Sequence, residues 1–229
     1  MTIGIIGAMD EEIDAVRGKM ADTAEETVAN CLFIHGKLYG REVVLLKSGI
    51  GKVNAAMAAT IMHERFQPSC VINTGSAGGF GEELDVGDVV ISTEVVHHDV
   101  DATAFDYAYG QVPGMPATYE ADTGLIEKAR QVIQELELNW KEGIIATGDS
   151  FMDDAQRVIF VRDKFPAMIA AEMEAASIAQ VSYQYETPFV IIRALSDIAG
   201  KDSSVSFDAF LETAAGNAAA LIMNMVKSL

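Results

Sequence analysis

Basic residues are scarce in this chain: 16 lysines and arginines stand against 34 aspartates and glutamates, a formal net charge of −18 over 229 residues. Such a balance repels polyanions, which argues against DNA, RNA and anionic membranes as partners. Cysteine is almost absent. Cys31 and Cys70 have neither C-x-x-C spacing nor the density of a disulfide framework, so they read as small buried thiols in a reduced, cytoplasmic setting. No apolar run reads as the roughly 20-residue segment that a bilayer span requires. The opening M-T-I-G-I-I-G-A-M-D-E-E lacks the basic n-region of a signal peptide. Repeats, low-complexity tracts and linker-like stretches are also missing, so residues 1–229 read as one domain.

What is present is apolar residues, half of the chain, in runs that alternate between strand and helix character. Strands are expected at Ile3–Ile6, at Cys31–His35 and Val43–Leu46 as a hairpin, and at Cys70–Asn73, Val86–Thr93, Gly143–Thr147, Ala167–Glu172 and Phe189–Ala194. Helices are expected near Asp10 to Met20, Lys52 to Phe66, 122–137, Ala155 to Phe165, from Ala175, and from Ser206. T-G-S-A-G-G after Asn73 reads as a glycine loop, and residues 97–120 as a long irregular segment of the kind that is usually functional or interfacial. This alternation predicts an α/β fold around a mixed, largely parallel sheet.

In such sheets ligands bind beyond the carboxyl ends of the strands. The residues falling there are Glu11 and Glu12, Ser48 to Gly51, Gly75 and Ser76, Asp149 to Phe151, Glu172 to Glu174, and Ser196 and Asp197. Carboxylates and hydroxyls from distant segments converge on one rim. Familiar signatures fail: S-G-I-G-K-V lacks the glycine and hydroxyl of a phosphate loop at Leu46 and Val53. T-G-S-A-G lacks a glycine at Thr74 for a nucleophile elbow. Adjacent His97 and His98 are poorly spaced for one metal ion.

Each acid has a structural reading beside its functional one. Asp10, Glu11 and Glu12 at a helix start can serve the helix dipole, or Glu12 can be a base. Ser196-Asp197 can cap a turn, yet Arg193 in the same apolar strand requires an anionic partner. Ser76 can be a turn residue. Glu172 and Glu174 flank Met173 in an alanine- and methionine-rich stretch where a carboxylate is costly unless bonded. A strand ending between them would hold Glu172 structurally and turn Glu174 to the rim, where a ribose diol could donate to it.

Together G-I-I-G-A-M-D-E-E, S-G-I-G-K-V-N-A-A, V-I-N-T-G-S-A-G-G, V-G-D-V-V-I-S, T-G-D-S-F, E-M-E-A-A and R-A-L-S-D resemble, in order and over nearly the whole chain, the 5′-methylthioadenosine/S-adenosylhomocysteine nucleosidases of the nucleoside phosphorylase superfamily. The resemblance implies a three-layer α/β/α fold, a homodimer, no metal, no organic cofactor, and hydrolysis of adenine nucleosides in methionine salvage. It implies Glu12 as the base that activates water, Asp197 as the acid at adenine N7, and Glu174 as the ribose ligand with Met173 against the sugar. Ser76 and Arg193 would lie around the water and ribose, and Ser196 is counted among the substrate-binding residues. Phe151 would stack near adenine and the Met152 backbone would read its edge. Met9, Ile50 and Phe207 would line the 5′-alkylthio pocket, with Phe105 and Pro113 reaching in from the partner subunit. A phosphorylase would need an anion cradle where this chain places Asp10, Glu11 and Glu12. A non-catalytic purine-binding protein would leave Glu12 and Asp197 unexplained together.

Overall fold

The computed structural model describes residues 1–81, 83–199 and 203–229. Strand β1 (Thr2–Gly7) lies between β4 (Arg41–Lys47) and β5 (Cys70–Gly79), parallel to both. Ile3, Ile5 and Ile6 are all buried, because a strand covered on both faces carries a continuous apolar run. The expected hairpin is formed by β3 (Cys31–Leu38) and β4. Beyond β3 lies an edge strand, β2 (Ala21–Val28), that the sequence pattern does not announce.

On the other side of β5 the sheet continues through β9 (Met168–Glu172), β8 (Trp140–Thr147), β6 (Val89–His97) and β10 (Phe189–Ile198). Because β10 also pairs with β5, these five strands close on themselves, which removes the free edges on that side. The sheet is therefore mixed: β10–β5, β6–β8 and β8–β9 are parallel, while β10–β6 and β5–β9 are antiparallel. Helices cover both sides. Helix α2 (Lys52–Phe66) packs with α5 (Ala175–Gln184), and α6 (Ser203–Ser228) packs on β10 and β5 beside α1 (Asp10–Arg17) and α3 (Thr123–Glu135). Helix α4 (Ala155–Lys164) follows β8.

Three local expectations need correction. T-G-S-A-G-G is not a loop but the second half of β5, where glycines admit charged side chains against the strand. A Cβ at Gly75, whose φ is 149°, would run into the Arg193 guanidinium and the Glu12 carboxylate. Strand β10 does not stop at Ala194. It continues through Ser196 and Asp197 with a register shift between Leu195 and Asp197, a bulge that re-aims the carboxylate. Finally, Ala209–Ser228 in α6 is long and apolar enough to cross a membrane by length and composition. Its Ala214, Ala218, Leu221, Ile222 and Met225 are buried against the sheet and neighbouring helices, so this apolarity belongs to a core helix. Residues 97–120 are largely irregular, with a short 3₁₀ turn at Thr103–Phe105 and a two-residue strand, β7 (Tyr119–Glu120), against β6.

Candidate active site

A cavity of about 310 Å³ opens beyond the ends of β1, β5, β9 and β10, and brings together twelve of the fourteen candidate residues. It is lined by Met9, Glu12, Ile50, Ser76, Phe151, Met152, Met173, Glu174, Arg193, Ser196, Asp197 and Phe207. Phe105 and Pro113 do not reach it and are exposed.

Glu12 sits in the first turn of α1, where the helix has unpaired N–H groups and no side-chain cap at Met9. Its Oε2 accepts the Ala8 N–H at 2.7 Å, so the carboxylate folds back over the start of its own helix. Its Oε1 reaches β5, accepting from Ser76 N at 3.0 Å and Ser76 Oγ at 3.2 Å. The buried carboxylate thus lies at the positive end of its helix and also on the cavity wall.

Arg193 crosses the same space from β10 and is 1% exposed. Its Nη2 donates to Glu172 Oε2 at 2.6 Å and to Asn73 Oδ1 at 2.8 Å, and lies 3.4 Å from Glu174 Oε2. Its Nη1 is 3.9 Å from Glu12 Oε1. Burial works against the guanidinium's charge, but Glu172, Glu174 and Glu12 outweigh it and raise its pKa above the ordinary value.

Glu172 and Glu174 then divide as the strand ends between them. Glu172 closes β9 and accepts from Glu174 N at 2.9 Å, Ala175 N at 2.8 Å, the Thr147 hydroxyl and Arg193, tying α5 to the sheet. Glu174 accepts a single backbone N–H, from Gly51 at 2.8 Å. Burial, reinforced by the Glu172 charge, pushes its carboxyl well above the usual carboxylate range.

On the opposite side, Ser196 Oγ lies 2.9 Å from Asp197 Oδ1, and both residues are buried on the bulged end of β10. The mouth is apolar: the rings of Phe151 and Phe207 meet edge to face with centroids 5.8 Å apart. Asn73 and Thr147 support this site and were not foreseen; Asn73, a polar residue inside the run C-V-I-N, carried the only signal. His97 and His98 lie outside the cavity lining, with His97 Nε2 3.0 Å from Gln180 Oε1.

The arrangement offers four carboxyl groups, Glu12, Glu172, Glu174 and Asp197, the first three around a guanidinium, in a space with apolar walls. A developing cation is welcome there, and so are proton transfers at either end. Residues 2–227 match the model of the phosphorylase superfamily, and the chain belongs to that superfamily.

Within it, the similarity is to nucleosidases. The 5′-methylthioadenosine/S-adenosylhomocysteine nucleosidase of Oceanobacillus iheyensis is 66% identical over 229 residues, covering 100% of both chains. The crystal structure of the Neisseria meningitidis 5′-methylthioadenosine/S-adenosylhomocysteine nucleosidase with methylthio-immucillin-A superposes with a TM-score of 0.98 at 49% identity, covering 100% of this chain and 99% of that one. The Colwellia psychrerythraea nucleosidase, solved with adenine, has a TM-score of 0.97 at 48% identity and covers 100% of this chain and 96% of its own.

Proposed function

We propose that the chain, as a single cytoplasmic nucleosidase domain, hydrolyses the N-glycosidic bond of 5′-methylthioadenosine and S-adenosylhomocysteine. The bond between ribose C1′ and adenine N9 breaks with its electron pair leaving on adenine, and Asp197 delivers a proton to N7. Glu12, oriented by Ala8 N and Ser76, takes a proton from water as the water oxygen bonds to C1′. The products are adenine and the 5-thioribose. Glu174 receives ribose hydroxyls, Met173 packs on the sugar, and Arg193 fixes the carboxylates. Phe151 and the Met152 backbone hold adenine, while Met9, Ile50 and Phe207 take the 5′ substituent.

The observation that carries the reading is the charge of the site. Arg193 is the one cationic side chain among the described lining residues, and Glu172, Glu174 and Glu12 already surround it. A phosphate nucleophile would meet carboxylates; water meets an oriented base. The experiment is incubation with 5′-methylthioadenosine in phosphate-free and phosphate buffers, with products identified by mass. We expect adenine and free 5-methylthioribose in both. Phosphate-dependent release of a sugar 1-phosphate would replace hydrolysis by phosphorolysis.

The functional unit is a homodimer in this reading. Val53 and Met57 present apolar surface on α2, near Ile50 at the mouth, and Phe105 is 77% exposed on the 97–120 segment. Burying such residues against a second copy would remove apolar area from water. It would also bring the partner's Phe105 and Pro113 to the open side of the cavity.

A further inference from the structure

Beside the cavity, three residues that do not line it form a closed ring of hydrogen bonds. Asp99 follows β6, and its Oδ1 accepts from Lys52 Nζ at 2.5 Å while its Oδ2 accepts from Asp149 N at 3.0 Å. Asp149 returns the link, its Oδ1 accepting from Lys52 N at 2.8 Å. The Lys52 and Asp99 side chains are 19% and 27% exposed, a partly shielded pair at the surface. Burial opposes the Asp99 charge, but the Lys52 ammonium and the Asp149 N–H hold the carboxyl below the usual range, so it stays ionised at neutral pH.

Each arm of the ring ends on a cavity residue. Gly51, one residue before Lys52, donates its N–H to Glu174 Oε1. Its φ of 95° is a glycine conformation, and an added Cβ would sit 3.1 Å from Asp149 Oδ1, so the ring packs directly against the backbone at that donor. Asp149 leads directly into Ser150, Phe151 and Met152 on the cavity wall. The Asp99 and Asp149 carboxylates together therefore tie the segment that holds Glu174 to the segment that forms the aromatic wall.

We propose that Asp99, with Lys52 and Asp149, is a positioning clamp that fixes the separation of the ribose-binding carboxylate from the adenine-binding turn. This rests on the nucleosidase reading above, in which the two segments grip opposite ends of one substrate. A rigid ligand touching both ends is sensitive to their spacing, whereas adenine alone touches one. Misplacement by about 1 Å can cost about 10²-fold in rate.

The test compares wild type with Asp99→Ala and Lys52→Met, measuring kcat and KM for 5′-methylthioadenosine and Kd for adenine. We expect kcat/KM to fall about 10- to 100-fold in each variant, in line with such misplacement, with adenine affinity within about twofold of wild type. The double variant should fall no further than Asp99→Ala alone, because the ring acts as a unit. In a Glu174→Gln background, Asp99→Ala should cost much less than it does in wild type. Unchanged kcat/KM, an equal loss of adenine affinity, or full additivity with Glu174→Gln would each overturn the clamp. Should Asp99→Ala fail to fold, Lys52→Met decides by the same criteria. An inactive wild type would count against the nucleosidase reading; an active wild type matched by its variants counts against the clamp.

Discussion

At the floor of the cavity Glu12, Ser76, Glu174, Arg193 and Asp197 are each at most 8% exposed, while at its mouth Ile50 is 50% and Phe151 43% exposed. The floor is polar, and nearly every group there has its partner within this chain: Ala8 N and Ser76 for Glu12, Asn73 and Glu172 for Arg193, Ser196 for Asp197. Buried polar groups must be bonded, so their geometry is fixed before any ligand arrives. The mouth is apolar and has no such requirement. The floor is thus ordered by its own hydrogen bonds, whereas the mouth leaves apolar surface uncovered.

The sharpest way to break this contrast is to alter the floor without changing its shape. Asp197→Asn and Glu12→Gln should each lower turnover of 5′-methylthioadenosine by about 10²–10⁴-fold, the usual contribution of one positioned acid or base. Adenine affinity, measured calorimetrically, should change by only a few-fold for Glu12→Gln, whose carboxylate faces the proposed water rather than the base. Turnover within tenfold of wild type in either variant would move the chemistry away from that residue.

The floor itself contains a second contrast. Glu172 has four donors and Glu174 chiefly one, although they are two residues apart. Removing Glu172 strips the closest partner from a buried guanidinium, so Glu172→Ala should destabilise the fold by about 3–5 kcal/mol in urea titrations. Glu174→Gln should not. The Glu174 pKa is raised to about 8 from 4.5, so the folded state holds this proton more tightly than the unfolded chain. Its contribution to stability is full below pH 4.5 and is lost as pH rises through about 8. The Gln variant, having no such proton, should therefore gain on wild type in stability between those values while losing activity. Parallel stability–pH curves for the two proteins would show that Glu174 is not held in its neutral form.

These contrasts explain how far the sequence could be read. The floor was legible in part. Glu172 and Glu174 in an apolar stretch and Arg193 in an apolar strand stood out as costly to bury. Glu12 in an acidic helix start and Asp197 beside Ser196 had structural readings as well, and their roles came from the family resemblance. The end of β9 between Glu172 and Glu174 was expected as well, since a strand continuing through Glu174 would put both carboxylates on one face. Strand β2 was not legible: A-D-T-A-E-E-T-V lies on the exposed edge beyond β3, and no burial imposes a period on it. The closure of β10 onto β5 was hidden for another reason. The glycines that permit it look like loop residues until the side chains packed against them are known. Asp99 was invisible as well, since an acid beside two histidines in an irregular segment gives no hint of its partners Lys52 and Asp149.

The smallest expected effect concerns the mouth. If Phe105 of one protomer covers the cavity of the other, Phe105→Ala should lower kcat/KM for 5′-methylthioadenosine by about tenfold, the scale of losing apolar contact with a substrate substituent. The loss alone would not say which chain supplies the ring, and mixing subunits does. In a dimer of one Phe105→Ala chain with one Asp197→Asn chain, the first chain keeps its own Asp197 and receives an intact Phe105 from its partner. With the Asp197→Asn protein in large excess, nearly every Phe105→Ala chain would sit in such a dimer, and activity per Phe105→Ala chain should return to the wild-type value. A phenylalanine acting within its own chain cannot be restored by mixing, so unchanged activity after subunit exchange would place Phe105 outside any shared site and leave the mouth to Ile50, Phe151 and Phe207.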